Sequence, residues 1–215
     1  MNTDFKKRII TSFCLLLLLY LILSNDKILV YTLIVLGVLS TIEFNSLIKK
    51  IKINNFYLFI INLSFIFFVL AFCSIFLIFY NFIQLKIIIF SLLICCVGSD
   101  IGGFIFGKIL KGPRLTKISP KKTISGSIGS LIFSCLFFSL SIFYFTNNIN
   151  FEIFVVAIIT SISCQIGDLF FSFLKRNAKI KDTGNIFPGH GGVLDRLDSI
   201  FFGLPLGFLA LKLFY

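Results

Sequence analysis

Charge is scarce in this chain: only 13% of its 215 residues are Asp, Glu, Lys or Arg, against 58% hydrophobic residues and a mean hydropathy of +1.04. That balance excludes an ordinary soluble domain, where about a quarter of residues are charged, and places the chain in a bilayer. Tryptophan is absent, so the aromatic bulk comes mainly from 30 phenylalanines, which with isoleucine face lipid. Histidine occurs once, at His190. A zinc site wants clustered thiolates with histidine, and the six cysteines (Cys14, Cys73, Cys95, Cys96, Cys135 and Cys164) all lie inside apolar runs without metal spacing. They read as small buried hydrophobes rather than a disulfide framework. No useful repeat, low-complexity linker or second soluble domain interrupts the chain. No small-x-small cleavage pattern follows the first apolar run at Ser24-Asn25-Asp26, so that run reads as an uncleaved span.

What is present is a series of long apolar segments, at 9–24, 28–48, 56–80, 85–107, 124–146, 152–174 and 197–214. Each approaches the roughly 20 residues needed to cross hydrocarbon as a helix, and none alternates as a barrel strand would. Basic residues test that count. Seventeen of the twenty fall before the first span or in 49–52, 108–122 and 175–196, which are alternate connections. Lys and Arg concentrate on the cytoplasmic side, so the expected fold is all-α: a polytopic helical bundle of about seven transmembrane helices, N-terminus cytoplasmic, with both long polar loops on that face. The same placement explains the net charge of +11 without nucleic acid as a partner. One continuous membrane domain is expected, with 1–97 as N-terminal helices and 98–215 carrying the chemistry.

Polar residues crowd into Ser172 to Asp198. Ionisable groups at or near bilayer depth are costly and by default functional. On a helix, Asp168, Ser172 and Lys175 share a face with Arg176 beside them, and Asp195 and Asp198 share another. Carboxylates without thiolates or several histidines favour magnesium, alone or with a second cation, so Asp168, Asp195 and Asp198 are the candidate metal ligands. Gly189 precedes His190, and Gly191 and Gly192 follow it before a helix start, where backbone amides approach phosphate closely. A second cluster runs from Asp100 through Gly102, Gly103, Gly107 and Lys108 to Ser119-Pro120-Lys121-Lys122-Thr123 and resembles an anion-binding loop. Glycines also let membrane helices approach, and positive-inside anchoring accounts for most of the loop lysines, leaving Lys121 and Lys122 for specific work. Glu43 reads as an exposed helix-end charge.

These residues resemble the phosphatidate cytidylyltransferase (CDP-diacylglycerol synthase) family. Its signature is met by Ser172, Lys175, Arg176, Lys181, Asp182, Pro188, His190, Gly191, Gly192, Asp195, Arg196 and Asp198. Gly167-Asp168-Leu169 and Ser119 to Thr123 also match, so the resemblance spans about 98–200. Ser125 is a departure, standing before Gly126 where many members carry an acid.

The resemblance implies transfer of the cytidylyl group of CTP to phosphatidic acid at the inner membrane, on its cytoplasmic face, for phospholipid biosynthesis. Asp168, Asp195, Ser172, Lys175 and Arg176 would be catalytic, with magnesium on the aspartates. Lys121, Lys122, Ser119, Lys181, His190, Gly191, Gly192, Arg196 and Asp100 would bind substrate. The alternatives are a CTP-dependent kinase or cytidylyltransferase acting on another membrane lipid, such as a polyprenol, and, more remotely, a transporter. Membrane lipids are expected partners, and a homodimer is left open.

Overall fold

In the computed structural model the described residues are 11, 17–18, 20–22, 25–116, 119–120, 122–187 and 191–214. Six helices are complete within them: α1 Asp26–Lys49, α2 Asn55–Tyr80, α3 Ile83–Leu110, α4 Ile124–Thr146, α5 Phe151–Asn177 and α6 Leu194–Phe214. All six are long and apolar enough to cross a membrane. The first expected span falls largely outside the described residues, and those of its residues that are described are helical. The described residues contain no strand, only isolated bridges at Arg114–Thr123 and Phe187–Gly191. The protein is a multi-pass, all-helical membrane protein, as the apolar runs predict.

Helix ends depart from the apolar segments because charged residues extend them. Helix α3 continues through Lys108 to Leu110 and stops where Lys111 turns left-handed, φ 42°, before Gly112-Pro113. Proline disfavours helical backbone in the residue before it. Helix α5 runs on through Lys175 and Arg176, whose cations complement the negative end of the helix dipole. Helix α4 starts at a side-chain cap: the Thr123 hydroxyl accepts the Gly126 amide at 3.1 Å.

The chain divides into two compact units. The first comprises Met1–Leu77 and Leu174–Leu197. In it α1 packs on α2 through the stacked rings of Phe44 and Phe65, 3.8 Å between centroids, and through Asn62, which donates to Asn45 at 3.3 Å. Leu47, Val193 and Leu194 are fully buried in this unit.

The second unit comprises Ile78–Phe173 and Asp198–Tyr215. Apolar burial drives helix association weakly in lipid, so close packing of small residues and interhelical hydrogen bonds matter more. Helices α3 and α4 meet on glycines. A Cβ on Gly102 would overlap the Gly129 carbonyl, and one on Gly126 would lie 2.9 Å from the Gly103 oxygen. Ser130 donates to the Ser99 carbonyl at 2.8 Å, and Ser99 pairs with Ser161 of α5 at 3.0 Å. Gly203 and Gly207 of α6 seat against Cys164 and Thr160 of α5. Cys95, Cys96 and Cys164 are buried and free, as expected, whereas Cys135 is only half-buried. A core of Leu92, Phe138, Val156 and Ala157 closes the unit.

Candidate functional site

The second unit gathers one group of the expected residues. Asp168 pairs with Lys122 and accepts the Ser172 hydroxyl at 3.4 Å. The pair is part-exposed, with 24% of the Lys122 and 36% of the Asp168 side chain accessible, so Asp168 is open to a ligand. Lys122 is fixed by its backbone: its amide donates to Ser119 at 3.0 Å and its carbonyl accepts the Leu115 amide at 2.8 Å. The Ser125 hydroxyl accepts the Gly112 amide at 3.2 Å and ties the α3–α4 connection to the first turn of α4. Lys121 lies outside the described residues.

Asp100 and Asp198 meet through Ser199. The Ser199 hydroxyl donates to Asp100 at 3.1 Å and its amide to Asp198 at 2.9 Å. Asp198 is buried while Asp100 is exposed. Gly167 lets this arrangement form, because a Cβ there would stand 2.6 Å from the Asp198 carbonyl. A cavity of about 610 Å³ also lies in this unit, lined by Gln84, Asn150 and Lys212 among others and by no carboxylate. It occupies the helix ends opposite to Lys122 and Asp168, so it is not the charged site.

The first unit holds the other group. Lys175 donates to Asp195 Oδ1 at 2.7 Å, with only 12% and 8% of the two side chains exposed. Asp195 Oδ2 accepts the Thr183 amide at 2.8 Å, the Thr183 hydroxyl at 3.1 Å and the Gly192 amide at 3.1 Å. Both Asp195 oxygens are thus engaged by protein donors. Gly191 is left-handed, φ 85°, and exchanges two backbone hydrogen bonds with Phe187 at 3.0 and 3.1 Å, closing the turn. A Cβ on Gly191 would stand 3.0 Å from Asp195 Oδ2. Pro188, Gly189 and His190 lie outside the described residues, so the His190 expectation falls there. Arg176, Lys181, Asp182 and Arg196 are exposed. Among the described residues no three His, Cys, Asp or Glu side chains are grouped to hold a metal.

Glu43 corrects the sequence reading. It is not an exposed helix-end charge: it is 5% exposed, and its carboxylate accepts the Val193 amide at 3.0 Å, the Leu194 amide at 2.9 Å and the Thr183 hydroxyl at 2.8 Å. Thr183 and Ser199 also escaped the sequence reading. A lone acid inside an apolar helix was the available signal for Glu43. No such signal marks a threonine or a serine.

The sequence profile described as the Cytidylyltransferase family matches residues 9–214. Among curated relatives, a phosphatidate cytidylyltransferase of Staphylococcus haemolyticus (strain JCSC1435) is 46% identical over 110 residues, which is 50% of this chain and 42% of that protein. The phosphatidate cytidylyltransferase of Rickettsia bellii (strain RML369-C) is 44% identical over 125 residues, 53% of each chain. That of Staphylococcus aureus (strain COL) is 47% identical over 111 residues, 50% of this chain and 42% of the relative. The chain therefore spans only about half the length of the curated relatives it matches. With the profile covering nearly all of it, the chain belongs to the cytidylyltransferase family.

Proposed function

We propose that the protein is a phosphatidate cytidylyltransferase, making CDP-diacylglycerol and pyrophosphate from CTP and phosphatidic acid. The observation that carries this reading is the signature from Ser172 to Asp198 lying within a family match over 9–214. In the reaction, a phosphate oxygen of phosphatidic acid attacks the α-phosphorus of CTP. The bond from that phosphorus to the oxygen bridging to the β-phosphorus breaks, and its electron pair leaves with pyrophosphate. The attacking phosphate is already nucleophilic, so no covalent enzyme intermediate is required.

Phosphoryl chemistry of this kind is catalysed mainly by positioning and charge neutralisation. Arg176 and Arg196, exposed at the end of α5 and the start of α6, suit bidentate phosphate contact. Lys122, held by backbone bonds on both sides, presents a fixed cation, with Lys121, Ser119 and Lys181 as further phosphate donors. Lys175 pairs with Asp195 in the structure, and on leaving it the ammonium can bind a substrate phosphate. His190, just before α6 in sequence, supplies a further donor, whereas the Gly191 and Gly192 amides are given to Phe187 and Asp195, and Asp100 braces Ser199.

Magnesium is the expected cation, with a second cation as an extension. It prefers hard carboxylate oxygens, and of the expected ligands Asp168, part-exposed, is best placed to take it with substrate phosphates, while Asp198 is buried and, among the described residues, no three such side chains are grouped for a metal. Asp195 would have to give up Lys175 first. When bound, the ion neutralises phosphate charge and steadies the leaving group. The alternation of basic loops supports a site on the cytoplasmic face of the inner membrane.

The testing experiment supplies CTP labelled either in cytidine or in the γ-phosphate, with phosphatidic acid in mixed micelles. Cytidine label in lipid supports the proposal. Label from the γ-phosphate in lipid makes the protein a kinase, and neither label in lipid, from folded protein, refutes the proposal.

A further inference from the structure

We infer that Glu43 is a positioning residue: from α1 it holds the α5–α6 loop by its backbone and so fixes Asp195. The inference rests on the proposed function only for what the loop does, because the holding itself is written in the geometry. Glu43 Oε1 accepts the Val193 amide, and Oε2 accepts the Leu194 amide and the Thr183 hydroxyl. Those amides belong to the start of α6, where intrahelical acceptors are missing and the helix dipole is positive, so a carboxylate there satisfies orphan donors. The acid that does so comes from a helix about 150 residues earlier rather than from the local cap position.

The loop is built around this carboxylate. A Cβ on Gly184 would come within 2.5 Å of Glu43 Oε1, and one on Gly192 would overlap both Glu43 and Thr183. Glycine at these positions is therefore explained by Glu43 rather than by turn geometry. Thr183 then links two acids. Its hydroxyl lies 2.8 Å from Glu43 and 3.1 Å from Asp195, and its amide bonds Asp195 at 2.8 Å. One hydroxyl proton serves one acceptor at a time, and the shorter contact gives it to Glu43, leaving the amide as the firm hold on Asp195. The same chain of contacts ends at Lys175. Glu43 thus governs the register of Thr183, Gly192, Val193 and Leu194, and with them the direction of the Asp195 carboxylate.

The test uses the full chain in detergent, as Glu43→Gln and Glu43→Asp beside wild type. Glutamine keeps the size but points an NH2 group at N–H donors. Losing hydrogen bonds to a charged acceptor predicts amide exchange at Val193 and Leu194 faster by about tenfold or more, and kcat lower by about tenfold or more at saturating CTP and phosphatidic acid. The melting temperature and folded fraction serve as the control. A merely structural role would lower those and leave kcat per folded molecule unchanged. Glu43→Asp keeps two acceptor oxygens and should recover part of both quantities. Unchanged exchange at 193–194 in Glu43→Gln, or unchanged kcat per folded molecule, overturns the inference. If Glu43→Gln does not fold, Glu43→Asp is read instead: faster exchange with reduced kcat supports it, and wild-type values overturn it. Absence of any lipid product from wild type and CTP would instead sink the functional reading, while the exchange result still decides whether Glu43 holds the loop.

Discussion

The Lys175–Asp195 pair offers the sharpest energetic test. Only 12% and 8% of the two side chains are exposed, and Asp195 also accepts the Thr183 and Gly192 amides at 2.8 and 3.1 Å. Replacing Lys175 by Met leaves a buried carboxylate without its cation, and breaking a buried pair in this way costs about 3–5 kcal/mol. Asp195→Asn alone takes the carboxylate away from the Lys175 ammonium. The amide oxygen can still take the Thr183 and Gly192 donors, but its NH2 then faces the ammonium, so the cost is again about 3–5 kcal/mol. In the double variant neither charge is stranded, and the total should fall short of the sum by roughly 1.5–3 kcal/mol. The assay is denaturant unfolding of the four proteins in one detergent, followed by a probe of folded protein. Additive losses, or single losses under about 1 kcal/mol, would refute a buried and mutually dependent pair, since that small value is typical of exposed pairs.

Asp168→Asn should keep insertion and folding, because the residue is part-exposed, yet lower turnover by about a hundredfold or more if its carboxylate holds the cation, a loss of about 2.7 kcal/mol in transition-state stabilisation; near-normal turnover removes it from the metal site. His190→Ala should cost less turnover than either Asp168→Asn or Asp195→Asn, and an equally deep loss with CTP affinity retained would give His190 a direct role. Gly102→Leu, which drives a side chain into Gly129 and Phe133 of α4, should destabilise by about 3 kcal/mol or abolish folding, the upper end expected for overpacking; a wild-type melting temperature would contradict the glycine-mediated contact of α3 with α4.

Much of this was legible in the sequence because lipid imposes simple rules. Long apolar runs must be helices, and the described helices fall on those runs. Their ends were harder to place: Lys108, Lys175 and Arg176 continue a helix that hydropathy alone would stop, and Asp195 begins one. The glycines of α3 read equally well as anion loop or helix contact, and Gly102, Gly103 and Gly107 all pack against α4. The signature residues stood out because charge is rare here. Glu43 did not, since its partners lie 140 to 151 residues away and no local spacing reveals them. Lys175 was expected to be catalytic, and the structure shows it first as the partner of Asp195.

The most direct test of the account is magnesium-dependent incorporation of cytidine label from CTP into lipid by the purified protein with phosphatidic acid. Labelled CDP-diacylglycerol with equimolar pyrophosphate is the expected result, lost on chelation of the metal and in Asp168→Asn. Folded protein that binds CTP but places no cytidine in lipid would contradict it.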